Sequence, residues 1–291
     1  MGFLSHKLKQ KHIWKRIFLE RLTEPIHLNL LSIPVALFGS FRSKVNWDLV
    51  VKQQHAFGLL TAADTARECG LSSISALEFG VANGAGLLNM CDLARRCTRA
   101  TGINISVAGF DTGAGLPPPR DYRDHPEAFR GGDYPMQNPD LLRAMLEKQG
   151  AKLILGDVRD TVKGFLRDAP PIGFISIDVD YYSSTLDALQ VLAGDPEHYL
   201  PWVIIYADDA DSYRHSPHCC ELLAMEEFSQ ASAYRKITRA HFLRATRIFQ
   251  RPPWIEKIYV AHILDHPYRE KFLRKPELQV LENPYLESIK R

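Results

Sequence analysis

Between residues 50 and 210 the chain repeats one pattern, a short apolar run, an acidic or glycine-rich turn, and then a longer segment at helical spacing. That alternation leaves little choice of architecture. Strands that each feed a helix run parallel, and a parallel sheet is covered on both faces by its crossovers. The segments "VVKQQHAFGLLTAADTARECG", "GLLNMCDLARRCTRATG", "DLLRAMLEKQG", "VRDTVKGFLRD" and "SSTLDALQVLAG" have helical spacing, and Gly70 and Gly102 supply C-terminal stops to the first two. Between them "ISALEFG", "NISVAGFD", "AKLILGD", "IGFISID" and "WVIIYADD" are strand-length and apolar. Farther on, "RKITRAHFLRATRIFQ" and "EKIYVAHILDH" suit strands at an antiparallel edge. The expected fold class is therefore α/β, a doubly wound, mostly parallel sheet with helices on both faces. It spans residues 50–267 as one domain, with an N-terminal arm over 1–49 and a tail over 268–291. The proline- and glycine-rich stretch 112–139 interrupts the pattern, and its Tyr122, Phe129 and Tyr134 suit a docked lid.

Composition narrows the partners. A formal charge of +2, with no basic block interleaved with aromatics in the central chain, argues against nucleic acid. Cys69, Cys91, Cys97, Cys219 and Cys220 are odd in number and lack CxxC spacing, which favours reduced thiols and a cytoplasmic setting. In the arm, "KLKQKHIWKRIFLERL" sets Leu8, Trp14, Ile17, Phe18 and Leu22 among lysines and arginines. The apolar run "IHLNLLSIPVALFG" follows, broken by Pro34 and too short for a span. Two readings stand. The arm lies on a partner or on the inner face of a membrane, or it packs on the domain or on a second subunit of a homo-oligomer.

In a doubly wound sheet, ligands bind beyond the carboxyl ends of the strands. Acids recur there: Glu78, Asp111, Asp157, Asp178 with Asp180, and Asp208 with Asp209. A single strand-end acid is commonly a helix cap, but recurrence after successive strands points to a site. Gly80, Gly84 and Gly86 in "EFGVANGAG" permit a tight turn and close approach of backbone to a ligand. Their spacing is not GxGxxG, which argues against a dinucleotide.

Together "ExGVxxGxG" at 78–86, "FDTGAGLPPP" at 110–119, "GDVRDTV" at 156–162, "IDVDYYSSTLDAL" at 177–189 and "ADD" at 207–209 resemble class I S-adenosylmethionine-dependent methyltransferases. The resemblance is nearest to the macrocin O-methyltransferase-like family. It covers roughly residues 50–235. It implies a Rossmann-like fold and transfer of a methyl group to a hydroxyl of a sugar, glycan or other polyhydroxyl small molecule.

It further implies that Glu78, Gly80 and Gly84, with Val81, Asn83 and Gly86, line the methionine side of the donor. Asp111, with Thr112, would take the ribose, and Asp157, with Val158, the adenine. Asp178 would touch the cofactor, and Asp178, Asp208 and Asp209 would bind Mg²⁺. Asp178 would be catalytic, Asp180 would cap the helix through Ser183–Thr185 or support the metal, and His55 or His125 would serve as general base. The sequence departs from the family at Val179, where glycine is usual, and at the "TGAG" loop. Two other functions fit the same frame, a cofactor-binding scaffold without turnover and an oxygenase of the cephalosporin-hydroxylase-like group.

Overall fold

The computed structural model describes residues 14–210, 216–273 and Asn283. Seven strands form one sheet in the order β3-β2-β1-β4-β5-β7-β6. They are β1 (Ser73–Phe79), β2 (Asn104–Asp111), β3 (Lys152–Leu155), β4 (Ile172–Ile177), β5 (Tyr199–Ala207), β6 (Arg235–Arg239) and β7 (Ile258–Ile263). The first five run parallel, and β7 is antiparallel to both β5 and β6. This is a doubly wound, mostly parallel α/β sheet with one antiparallel strand, β7. The strand order reverses beside β1, which pairs with β2 on one side and β4 on the other.

The longer helices are α1 (Ile26–Phe38), α2 (Phe41–Asn46), α3 (Gln53–Glu68), α4 (Ala85–Thr101), α5 (Pro139–Glu147), α6 (Val158–Phe165), α7 (Tyr182–Leu189) and α8 (Cys220–Ala231), and α3 to α7 lie where the periodicity predicts them. Alternate residues of the central strands face opposite ways, so the sheet splits the core in two. Ile74, Ala76, Phe174 and Ile204 join the cluster containing Leu59 and Ala63 of α3 and Leu87 and Met90 of α4. Leu77, Phe79, Ile175, Ile177 and Val203 join the cluster that holds Ala188 and Leu189 of α7 and Met225 and Phe228 of α8.

Three local expectations change. Pro34 does not break the apolar run, because α1 passes through it from Ile26 to Phe38. The segment expected as strand over 235–250 is β6 only to Arg239, and a short helix follows over Leu243–Thr246. Helix α8 carries no predicted counterpart.

The described part of the arm packs on the domain. Ile17, Ala36 and Leu49 form a small core, and the buried guanidinium of Arg247 bonds Asp48 Oδ1 at 2.6 Å and the carbonyl of Val45 at 2.8 Å. Leu8 and most of the tail lie outside the described residues.

Helix α3 approaches the sheet closely at Gly58, where a Cβ would stand 2.3 Å from the ring of Phe174. Phe174 is wholly buried and has nowhere to retreat. Gly58→Ala is therefore expected to lower stability by about 1–3 kcal/mol despite the better helix propensity of alanine, measured as the urea midpoint at unchanged m-value.

Candidate functional site

Where the strand order reverses, Gly80 leaves β1 with φ +84, and a Cβ there would lie 1.7 Å from the carbonyl oxygen of Asp178. Only glycine lets the ends of β1 and β4 meet this closely. Beyond them opens a cleft of about 420 Å³, within the size range of small-molecule sites. Its floor comes from the ends of β1, β2, β4 and β5, and its roof from the 112–139 insertion through Gly115, Leu116, Pro117, Phe129, Asp133 and Tyr134.

The cleft brings together Glu78, Gly80, Val81, Gly86, Asp111, Thr112, Val158, Asp178, Asp208 and Asp209, with Asp180 among them. It therefore concentrates acid. Glu78, Asp111, Asp133, Asp178, Asp180, Asp208 and Asp209 line it, and among the described lining residues only Lys52 is cationic. Lys52 escaped the sequence reading because it lies outside every strand-end motif. Its φ of +46 at the start of α3 turns the chain toward the cleft, and glycine at position 86 makes room for it. A Cβ at Gly86 would sit 2.2 Å from Glu78 Oε1 and 3.1 Å from Lys52 Nζ.

Burial and crowding set the charges. Glu78 is buried, and desolvation pushes its carboxyl to about 8 against the opposing pull of Lys52. Its Oε2 has no hydrogen-bond partner among the described residues. Desolvation, then the neighbouring Asp208 charge, raises Asp178 to about 7. Desolvation and the charge and hydrogen bond of Asp209 raise Asp180 to about 8. Beneath them Glu221, fully buried, accepts a bond from the Asp209 amide at 3.0 Å and is held well above the usual carboxylate range by burial.

These carboxyls bind protons more tightly folded than unfolded. Their stabilising contribution is complete below the ordinary carboxylate range and is lost as pH rises through about 7–8. The thermal midpoint of the ligand-free protein is expected to fall between about pH 6 and about pH 8.5, read by calorimetry. Asn replacements at Asp178 and Asp180 should flatten that slope.

Asp111 is the organiser of the glycine loop. Its Oδ2 accepts from the amides of Val81 and Ala82 at 2.8 and 2.9 Å, and its Oδ1 accepts from Gly113 at 2.6 Å. Asn83 and Gly84 belong to this loop but do not line the cleft: Asn83 Oδ1 accepts from the amide of Gln137 at 3.0 Å, and Gly84 packs against Leu142.

Four expectations are corrected in position. Asp157 lies outside the cleft lining, capping α6 through the Arg159 amide, while the Arg159 guanidinium holds its carboxyl down at about 2. His55 is wholly buried in the core, its Nε2 3.2 Å from Ser176 Oγ and its ring edge-on to Phe174 and Tyr206. Burial drives its pKa to about 3, so it stays neutral and does not reach the cleft. His125 is buried within the insertion and likewise does not line the cleft. The start of α7 is bound not by Asp180 but by Asp124, whose carboxylate accepts from the Ser183 amide at 2.8 Å and the Ser183 hydroxyl at 3.0 Å. Asp124 also accepts from the Arg120 amide at 2.7 Å, so one buried acid fastens the insertion to the domain. Nothing local in "DYRDHP" shows that its second acid binds the start of α7.

No family model and no curated protein matches this chain. Solved structures do. The chain is 19% identical to the calicheamicin methyltransferase CalS11, with 89% of this chain and 91% of that one covered and a TM-score of 0.49. It is 15% identical to the O-methyltransferase NovP, covering 72% and 79%, at a TM-score of 0.47. With cmcI-D160 Mg-SAM the identity is 18%, each chain is 70% covered and the TM-score is 0.39.

The floor acids are hard oxygen donors of the kind that suit a divalent cation. They are already partly engaged: Tyr206 donates its hydroxyl to Asp208 Oδ1, the ammonium of Lys257 bonds the Asp208 carbonyl, and Asp180 bonds Asp209. Among the described residues no group of three or more histidines, cysteines, aspartates or glutamates is placed to hold a metal ion.

Proposed function

We propose that the protein is an S-adenosylmethionine-dependent O-methyltransferase acting on a hydroxyl of a sugar, glycan or other polyhydroxyl small molecule, in the manner of the macrocin O-methyltransferase-like family. The observation that carries the reading is the acid-lined cleft at the strand reversal, with the unpartnered Glu78 Oε2 buried in it. A cleft this rich in carboxyls disfavours phosphate and favours a ligand that brings positive charge, which also draws the raised carboxyls of Glu78, Asp178 and Asp180 toward their charged forms. S-adenosylmethionine brings two positive charges, an α-ammonium and a sulfonium, together with a carboxylate.

The residues match the donor piece by piece. Glu78 Oε2 supplies the missing acceptor for the α-ammonium, and Lys52 the cation for the carboxylate. Asp111 spends three acceptor positions on the loop and keeps one on Oδ1 for a ribose hydroxyl. Val158, Leu116 and Pro117 offer apolar surface to the adenine, beside Thr112. The bound donor supplies an electrophilic methyl group for attack by the acceptor oxygen.

The acceptor hydroxyl is oriented by the floor acids. To hold Mg²⁺, Asp178, Asp208 and Asp209 would have to be drawn together from their places in the ligand-free cleft, and the ion would then supply a lowered pKa to a coordinated hydroxyl. Roof residues Phe129 and Tyr134 keep water from the donor.

Calorimetric titration with S-adenosylmethionine and S-adenosylhomocysteine, with and without Mg²⁺, tests the reading. Binding at about micromolar concentration, weakened at least about tenfold by Glu78→Gln, is expected. Absence of binding under both metal conditions would sink the cofactor assignment and with it the methyltransferase.

A further inference from the structure

Two of the carboxyls that line the cleft have no part in the donor or the floor. Glu78 and Asp111 face the donor, and Asp178, Asp208 and Asp209 make the floor, which leaves Asp133 on the roof and Asp180 in the turn after β4. Lys52, the one cation among the described lining residues, is taken by the donor carboxylate.

These two acids share their surroundings. The carboxylates that act most strongly on the Tyr134 phenol of the roof are Asp180 and Asp133, and those that act on the Tyr181 phenol are Asp124, Asp180 and Asp133. Tyr181 is wholly buried and meets Phe129 of the roof edge-on, with ring centres 6.1 Å apart. Its hydroxyl has no hydrogen-bond partner among the described residues. A buried hydroxyl left unpaired is unfavourable, and a ligand atom placed there removes the penalty. Asp133 Oδ2 accepts from the Arg130 amide at 3.0 Å, and Asp180 bonds Asp209, so each acid keeps acceptor positions for a ligand.

A carboxylate pair takes either the hydroxyls of a neutral sugar or an ammonium. Charge separates the two. Asp133 and Asp180 stand beside three more acids in a partly closed cleft, and hydroxyl donors leave that repulsion in place, whereas an ammonium offsets it. The ring of Tyr134 offers the same cation an aromatic face. An ion on the floor would engage the other three acids and leave this pair to the acceptor.

We propose that the acceptor is an amino sugar, its ammonium held by Asp133 and Asp180 beside Tyr134 and a ring oxygen or hydroxyl meeting Tyr181. The proposal rests on the methyltransferase reading for the transfer itself. Attack by a sugar hydroxyl forms its O–CH3 bond, breaks the S–CH3 bond of the donor, and releases S-adenosylhomocysteine and the hydroxyl proton, which passes to a floor carboxylate.

The test is calorimetric titration of the protein saturated with S-adenosylhomocysteine, at about pH 7, where a sugar amine is mostly charged. Glucosamine, galactosamine and mannosamine are each compared with the neutral parent sugar and with the N-acetyl form. At least one amino sugar is expected to bind at least about tenfold tighter than both of its uncharged counterparts, by a margin that shrinks with added salt. Asp133→Asn should bring the three forms to within about threefold of one another, with S-adenosylhomocysteine bound as in the parent. Amino sugars that bind no tighter than their parents, or a preference that survives in Asp133→Asn, would overturn the proposal while donor binding still supports the methyltransferase. Failure of S-adenosylhomocysteine itself to bind would remove that reading, and the amino-sugar acceptor with it.

Discussion

Asp178→Asn is expected to cost methyl transfer about 10²–10⁴-fold in kcat while leaving the ligand-free protein at least as stable near pH 8. The two halves of this result have one cause. Asp178 sits where burial and Asp208 push its carboxyl up to about 7, so ionising it in the empty cleft works against folding. An amide of the same shape removes that repulsion. It also removes a ligand from the floor that orients the acceptor hydroxyl, and donor binding should change far less than turnover. Single-turnover rates beside calorimetric donor affinity measure the first half, and a pH 8 thermal melt the second. A variant that melts earlier than the parent at that pH would show Asp178 to be a structural acid, contrary to the proposed role.

Gly80→Ala should be the most damaging single methyl group in the molecule. The added Cβ would meet the Asp178 carbonyl oxygen at 1.7 Å, and the φ of +84 is costly for any side chain. Both neighbours are backbone at the ends of buried strands, so no side chain can swing aside to relieve the contact. The chain has to open β1 from β4 at the Asp178 amide, which bonds the Phe79 carbonyl at 2.9 Å. A loss of about 2–5 kcal/mol is expected, read from the urea midpoint, together with loss of donor binding at temperatures where the variant is still folded. Gly102→Ala is the control: its φ is also positive, at +80, but nothing lies within 4 Å of the added carbon, so only the conformational part, about 1–2 kcal/mol, should appear.

The alternation of apolar runs with helical segments determined the architecture, because a strand buried on both faces and a helix buried on one leave different periodicities in the chain. Strand ends could be read for the same reason: apolar runs stop where the sheet stops, and the acids beyond them stand at the only edge a parallel sheet offers a ligand. Glu78, Asp111, Asp178, Asp208 and Asp209 were found in this way, and all five line one cleft.

What periodicity does not carry is side-chain direction across long loops and the surroundings of a lone residue. His55 looked free to reach a substrate, yet it occupies the face of α3 that packs on Phe174, one turn before Gly58. Asp157 looked like its fellow strand-end acids, but Arg159, two residues on, claims its carboxylate. Lys52 and Asp124 gave no signal, since each acts on elements distant in sequence, and only the folded chain sets Lys52 beside Glu78 and Asp124 against Ser183. Sequence fixes which surfaces must be buried. Tertiary structure decides which polar groups are left facing one another once that burial is done, because the partners of a charge are chosen by the packing of apolar neighbours and not by the charge itself.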